Sequence, residues 1–166
     1  RTSEQEWLVT SQSSGTARKL IERLGGDVAR ATSHVKFEAN KGFPRHTHAG
    51  GEEFLVVKGT WVDDYGSFPK FSYIRNYIGS SHQPHMGPDG VEIFVKLFQM
   101  SKTHKEPETT AVDASPGAPG FTDGEKGVKT KHLFESPLEK VTAVILPAGF
   151  QGSIDVPEHG KEVLVV

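Results

Sequence analysis

Glycine and proline set the first limit on this chain. Eighteen of one and ten of the other cut its 166 residues into short runs rich in Val, Ile, Phe, Thr and Tyr. Runs of that kind, each closed off by turn-forming residues, belong to an all-β sandwich or barrel. The pattern predicts strands over Ala31–Phe37, Phe43–His48, Glu53–Lys58, Trp61–Asp63, Ser72–Asn76 and Glu92–Met100. Asp64-Tyr65-Gly66 reads as a hairpin turn between two such runs. Ala17–Leu24 fits a short helix or a further strand equally well.

The character of the chain changes at Ser101. The stretch Ser101–Lys126 is polar, rich in Pro and Gly, and almost without aliphatic side chains, which reads as a linker. Beyond it the earlier pattern restarts. Val144–Phe150 echoes Val35–Phe43 with a two-residue gap, and Lys161–Val166 echoes Glu52–Val57. The expected organisation is a first unit at 1–102, a linker at 103–127 and a partial, degenerate second repeat at 128–166.

Cysteine is absent, which removes disulfides and thiolate metal sites together. A transition-metal site here must use imidazole and carboxylate, and the sequence offers one dense segment of both. In Gly42-Phe-Pro-Arg-His46-Thr-His48-Ala-Gly-Gly-Glu52-Glu53, strand alternation puts His46 and His48 on one face. Glu52 keeps that parity beyond a Gly50-Gly51 pair able to bend the strand, whereas Glu53 faces away. His82, after a Gly79-containing turn, is the candidate fourth ligand. Three imidazoles and a carboxylate suit Zn, Fe(II), Mn, Ni or Cu rather than Ca or Mg. In the second repeat the positions of His46, His48 and Glu52 hold Asp155, Pro157 and Lys161, so that copy is expected to be metal-free. His85 is expected at the surface or behind the ligands, His34 in the core, and Asp63 and Asp64 in the hairpin.

The spacing His46, His48, Glu52, Gly59 resembles the first cupin motif, and Gly79 with His82 is similar to the second. The longer stretch FPRHTHAGGEEFLVVKGTWVDDYG…YIRNYIGSSHQPH resembles the cupin domain of ChrR-type anti-sigma factors. That resemblance implies an all-β jelly-roll barrel, followed here by the start of a second cupin repeat. It also implies a metal ion held by His46, His48, Glu52 and His82, with zinc the expected ion and Fe2+, Mn2+ or Ni2+ the alternatives. Tyr77 and Met86 depart from the general second motif without touching a ligand position. The helical sigma-binding domain of that family, with its Cys ligands, has no counterpart in the sequence.

The function implied is a regulatory or sensing module that controls a sigma factor through a separate domain, with no catalytic residue. The alternative is an Fe(II)-dependent dioxygenase acting on a diketone or aryl ketone. A small-molecule ligand at the metal and a homodimer are further expectations. A net charge of −2 without a basic stripe argues against direct nucleic-acid binding. No apolar run approaches the ~18–20 residues that span a bilayer. Arg1 to Leu8 also lack a secretory signal pattern, so the expected location is cytoplasmic.

Overall fold

A computed structural model describes residues 5–9, 15–26, 29–153 and 155–166. The strands are β1 (Leu8–Val9), β2 (Thr16–Gly25), β3 (Ala29–Phe37), β4 (His46–Thr47), β5 (Glu52–Asp63), β6 (Gly66–Pro69) and β7 (Ser72–Asn76). They continue as β8 (Ser81–His82), β9 (His85–Leu97), β10 (Thr109–Asp113), β11 (Thr122–Asp123), β12 (Lys129–Glu135) and β13 (Lys140–Ile145). A 3-10 turn, Glu125–Gly127, precedes β12. Among the described residues no helix is long and apolar enough to cross a membrane. Ala17–Leu24 falls within β2, so of its two readings the strand holds.

The main sheet runs β1-β2-β3-β9-β5-β7-β10, antiparallel throughout, with β6 paired to β5. This corrects the expected jelly-roll barrel. Among the described residues the path is open, since β1 and β10 end it without pairing to each other. β4 and β8 make a separate two-stranded ribbon, and β11-β12-β13 make a separate three-stranded sheet. A sheet closes only when both of its ends find ladder partners in a matching register. The segments lying across this sheet, β4 and β8, are two residues long and spend their ladder on one another. Lys161–Val166, which echoes Glu52–Val57 in sequence, carries no strand. Within the stretch read as a linker, the structure places β10, which joins the main sheet along β7.

Strand β5 decides what the inner face presents. Phe54 and Val56 point into the core with Val35, Phe37, Ile74, Met86, Val91, Ile93 and Val95. The register against β9 then slips between Val56 and Lys58, leaving one extra residue on β5. Such a bulge inverts the facing of everything after it. Gly59 is now the inward position opposite Val91, at φ +74, where a Cβ would collide with the Gly90 carbonyl oxygen. Only glycine fits there. Trp61 thereby joins the core, packing on Phe54 at 4.8 Å between ring centroids, and Asp63 turns inward after it.

The outer face carries charge instead. Arg75, 2% exposed, bonds Glu53 at 2.6 Å, Glu106 at 2.8 and 2.9 Å, and Glu139 at 2.7 Å. The Phe134 ring of β12 covers its guanidinium at 3.6 Å. This cluster fastens the β12–β13 hairpin onto the main sheet.

Candidate metal centre

The β4–β8 ribbon sets His46 directly opposite His82, with Thr47 opposite Ser81 and their hydroxyls 2.7 Å apart. His48 leaves the ribbon at its end. Its N–H donates to the Ser80 carbonyl, and its own carbonyl accepts from Gly79 and Gly51 N–H. The three rings then meet edge to face, 4.7 to 5.0 Å between centroids. His82 Nε2 lies 3.1 Å from His48 Nε2 and 3.2 Å from His46 Nε2. His82 and His48 are buried, whereas His46 is exposed.

What the outer nitrogens touch decides what the inner ones offer. His82 Nδ1 is 2.9 Å from Asp63 Oδ2, and His46 Nδ1 is 3.1 Å from the Pro44 carbonyl oxygen. A carboxylate and a carbonyl only accept, so each Nδ1 is the donor, and a neutral ring so placed presents its Nε2 as a lone pair. Two such lone pairs 3.2 Å apart would repel each other. A cation relieves that repulsion. The spacing also fits one, since two nitrogens bound tetrahedrally at about 2.0–2.1 Å from a shared ion lie roughly 3.3 Å apart. The three histidines thus form a cluster able to hold a metal ion.

Glu52 turns the same way. Its Oε2 is 3.5 Å from His48 Nε2 and 3.8 Å from His82 Nε2, and it accepts from Asn76 Nδ2 at 3.0 Å. Thr109 of β10 in turn donates to Asn76 Oδ1 at 2.9 Å. Burial, then the neighbouring imidazoles, hold the His48 pKa below its ordinary value against the pull of Glu52. The neutral, ligating ring is thereby favoured. For Asp63 burial opposes ionisation and is the largest influence. The hydrogen bonds from His82, Trp61 and the Tyr65 N–H together outweigh it, and the carboxyl titrates below its usual range.

The cluster borders a cleft of ≈ 240 Å³ lined by His46, His48 and Glu52 together with Ala49, Leu97 and Phe98. His85 is elsewhere, lining a separate cleft of ≈ 530 Å³ with Pro44, Asp64 and Gln83. His34 is half-buried, 3.1 Å from Glu92. Asp63, read from the sequence as a hairpin residue, is one, paired with Gly66, and it also stands against His82 with its side chain wholly shielded. Asn76 is the other supporting residue that the sequence reading passed over.

Residues 1–101 match the family of the ChrR cupin-like domain. The chain belongs to that family. No curated protein matches the cupin-like chain in sequence. Among solved structures, it is similar to an RmlC-like cupin protein from Ralstonia eutropha JMP134, at 14% identity and TM-score 0.53, over 67% of this chain and 76% of that one. It also resembles a protein from Nostoc punctiforme PCC 73102 provisionally assigned as a dioxygenase, at 16% identity and TM-score 0.56, over 77% and 50%. Similarity extends to the Rhodobacter sphaeroides complex of SigE with the anti-sigma factor ChrR, at 17% identity and TM-score 0.48, over 58% and 51%. The chain thus spans about half the length of the last two. At these identities the likeness concerns the fold.

Proposed function

We propose that this cupin-like chain is a metal-dependent dioxygenase for a small uncharged ketone, a diketone or an aryl ketone. The observation that carries the reading is the open side of the histidine cluster, which faces a cleft of ≈ 240 Å³ rather than packed protein. A structural zinc site is closed, whereas a catalytic one keeps a position for substrate. His46, His48, His82 and Glu52 would hold the ion, which when bound supplies Lewis acidity toward a carbonyl oxygen and, as iron, redox chemistry with dioxygen. Ala49, Leu97 and Phe98 would take the apolar body of the substrate. No Lys or Arg lines the cleft among the described residues, so a carboxylate or phosphate would find no counter-charge. The fold is one that a provisionally assigned dioxygenase also uses.

The test is anaerobic loading with Fe(II), followed by oxygen uptake in the presence of a 1,3-diketone or a hydroxylated aryl ketone. Stoichiometric uptake is the expected result. One equivalent of metal bound with no uptake for either ketone rejects it. The family match favours a second reading, a zinc-holding regulatory module working with a sigma factor through another domain. Tightly held zinc together with that negative result supports it.

A further inference from the structure

We propose that Asp63 is the positioning residue of the metal centre, holding His82 in the one tautomer and orientation that can ligate. The inference rests on the metal reading above and assigns a role to a residue that the sequence marks only as the start of a turn.

Asp63 ends β5 on the inward face, and its side chain is completely shielded, as is that of His82. Its Oδ2 takes two bonds of 2.9 Å, one from Trp61 Nε1 and one from His82 Nδ1, while Oδ1 accepts the Tyr65 N–H at 2.9 Å. The indole and the amide are donors only, so the carboxylate has no freedom to rotate away. Its one remaining task is to receive the His82 Nδ1 hydrogen. That leaves His82 Nε2 as a lone pair, aimed at the point where His46 and His48 also converge. A carboxylate behind a ligating imidazole fixes the ring and strengthens it as a donor.

The rest of the turn grips the same ribbon. Asp64 Oδ1 accepts from Arg45 at 2.7 Å, beside His46, and its Oδ2 accepts the Gln83 N–H at 2.8 Å, beside His82. The Tyr65 hydroxyl lies 3.1 Å from the Ser81 carbonyl and 3.0 Å from Glu108. Three consecutive turn residues thus reach both strands that carry ligands. A turn needed only to reverse the chain would make no such bonds.

The experiment uses the full chain with Zn2+ alone. Asp63→Asn keeps the shape but supplies an amide hydrogen where an acceptor is required. It is expected to weaken Zn2+ binding about 10- to 100-fold. Thermal melting of the metal-free proteins shows whether the variant is folded. A folded variant that binds within threefold of wild type overturns the proposal. Nitrogen-15 NMR of the imidazoles in metal-free wild type is the second arm and needs no variant. His82 is expected in the Nδ1–H form, and an Nε2–H form overturns the proposal. Wild-type protein that takes up no Zn2+ rejects the metal reading, and the tautomer then decides the Asp63–His82 assignment independently.

Discussion

Glu52 and Glu53 are neighbours on β5, equally buried, and they serve opposite kinds of site. Glu53 faces outward into a cluster where the chain supplies its own cations. It receives Arg75 and the Tyr73 hydroxyl, with Lys96 at 3.6 Å, and Arg75 is shared with Glu106 and Glu139. Glu52 faces inward to two imidazoles, His48 and His82, and one amide, with no Lys or Arg bonded to it among the described contacts. A buried charge persists only when it is paired. One face of the sheet therefore pairs its own charges, whereas the other gathers three histidines able to hold a metal ion.

The sharpest way to break this contrast is Arg75→Met. Removing the guanidinium strands Glu53 and Glu106 in a covered site, which is expected to cost about 3–5 kcal/mol in urea unfolding. The protein that remains folded should still bind one equivalent of Zn2+, because the two faces use different side chains. A loss of metal in folded protein would show that the faces are coupled.

Exchanging acid for amide at each glutamate sharpens the comparison further. Glu52→Gln is expected to lower Zn2+ affinity about 10- to 100-fold, in the range seen when a site loses a supporting or ligating group. Glu53→Gln should leave Zn2+ affinity unchanged and lower stability by about 1–3 kcal/mol through its broken ionic bonds. Titration calorimetry and denaturation on the same pair of proteins read both quantities.

The smallest effect is in pH. His48 has a folded pKa below the ordinary 6.5, chiefly from burial, so the unfolded chain binds its proton more readily than the folded one. Stability from this group is present above about pH 6.5 and lost as pH falls below it. Tyr73 moves the other way. Burial, then Glu53, raise its pKa above 10, so Tyr73 adds no dependence near neutrality. Urea midpoints of the metal-free protein should fall between pH 7.5 and 5.5, and His48→Ala should reduce that slope.

Legibility followed distance along the chain. His46 and His48 are two apart in a segment read as one strand, so local alternation alone predicts them on one face. His82 was reachable through its glycine turn, although the two-residue strand bearing it was too short to be read. Glu52 and Glu53 separate by the same parity. Asp63 was legible as a hairpin residue, but its contact with His82 was not, because the bulge beyond Val56 that turns it inward depends on pairing with β9. The stretch 103–127 looked structureless because its side chains are polar, yet β10 joins β7 through backbone bonds that need no apolar side chain.

The sequence by itself determined which atoms can serve as ligands: imidazoles and a carboxylate, no thiolates, spaced so that a strand aims them together. Only the tertiary structure decided that the main sheet stays open, that Asp63 backs His82, and that Arg75 gathers three glutamates. Alternation on a strand is enforced by each residue's own backbone geometry, whereas closure, bulges and ion clusters depend on partners that meet only once distant segments pack.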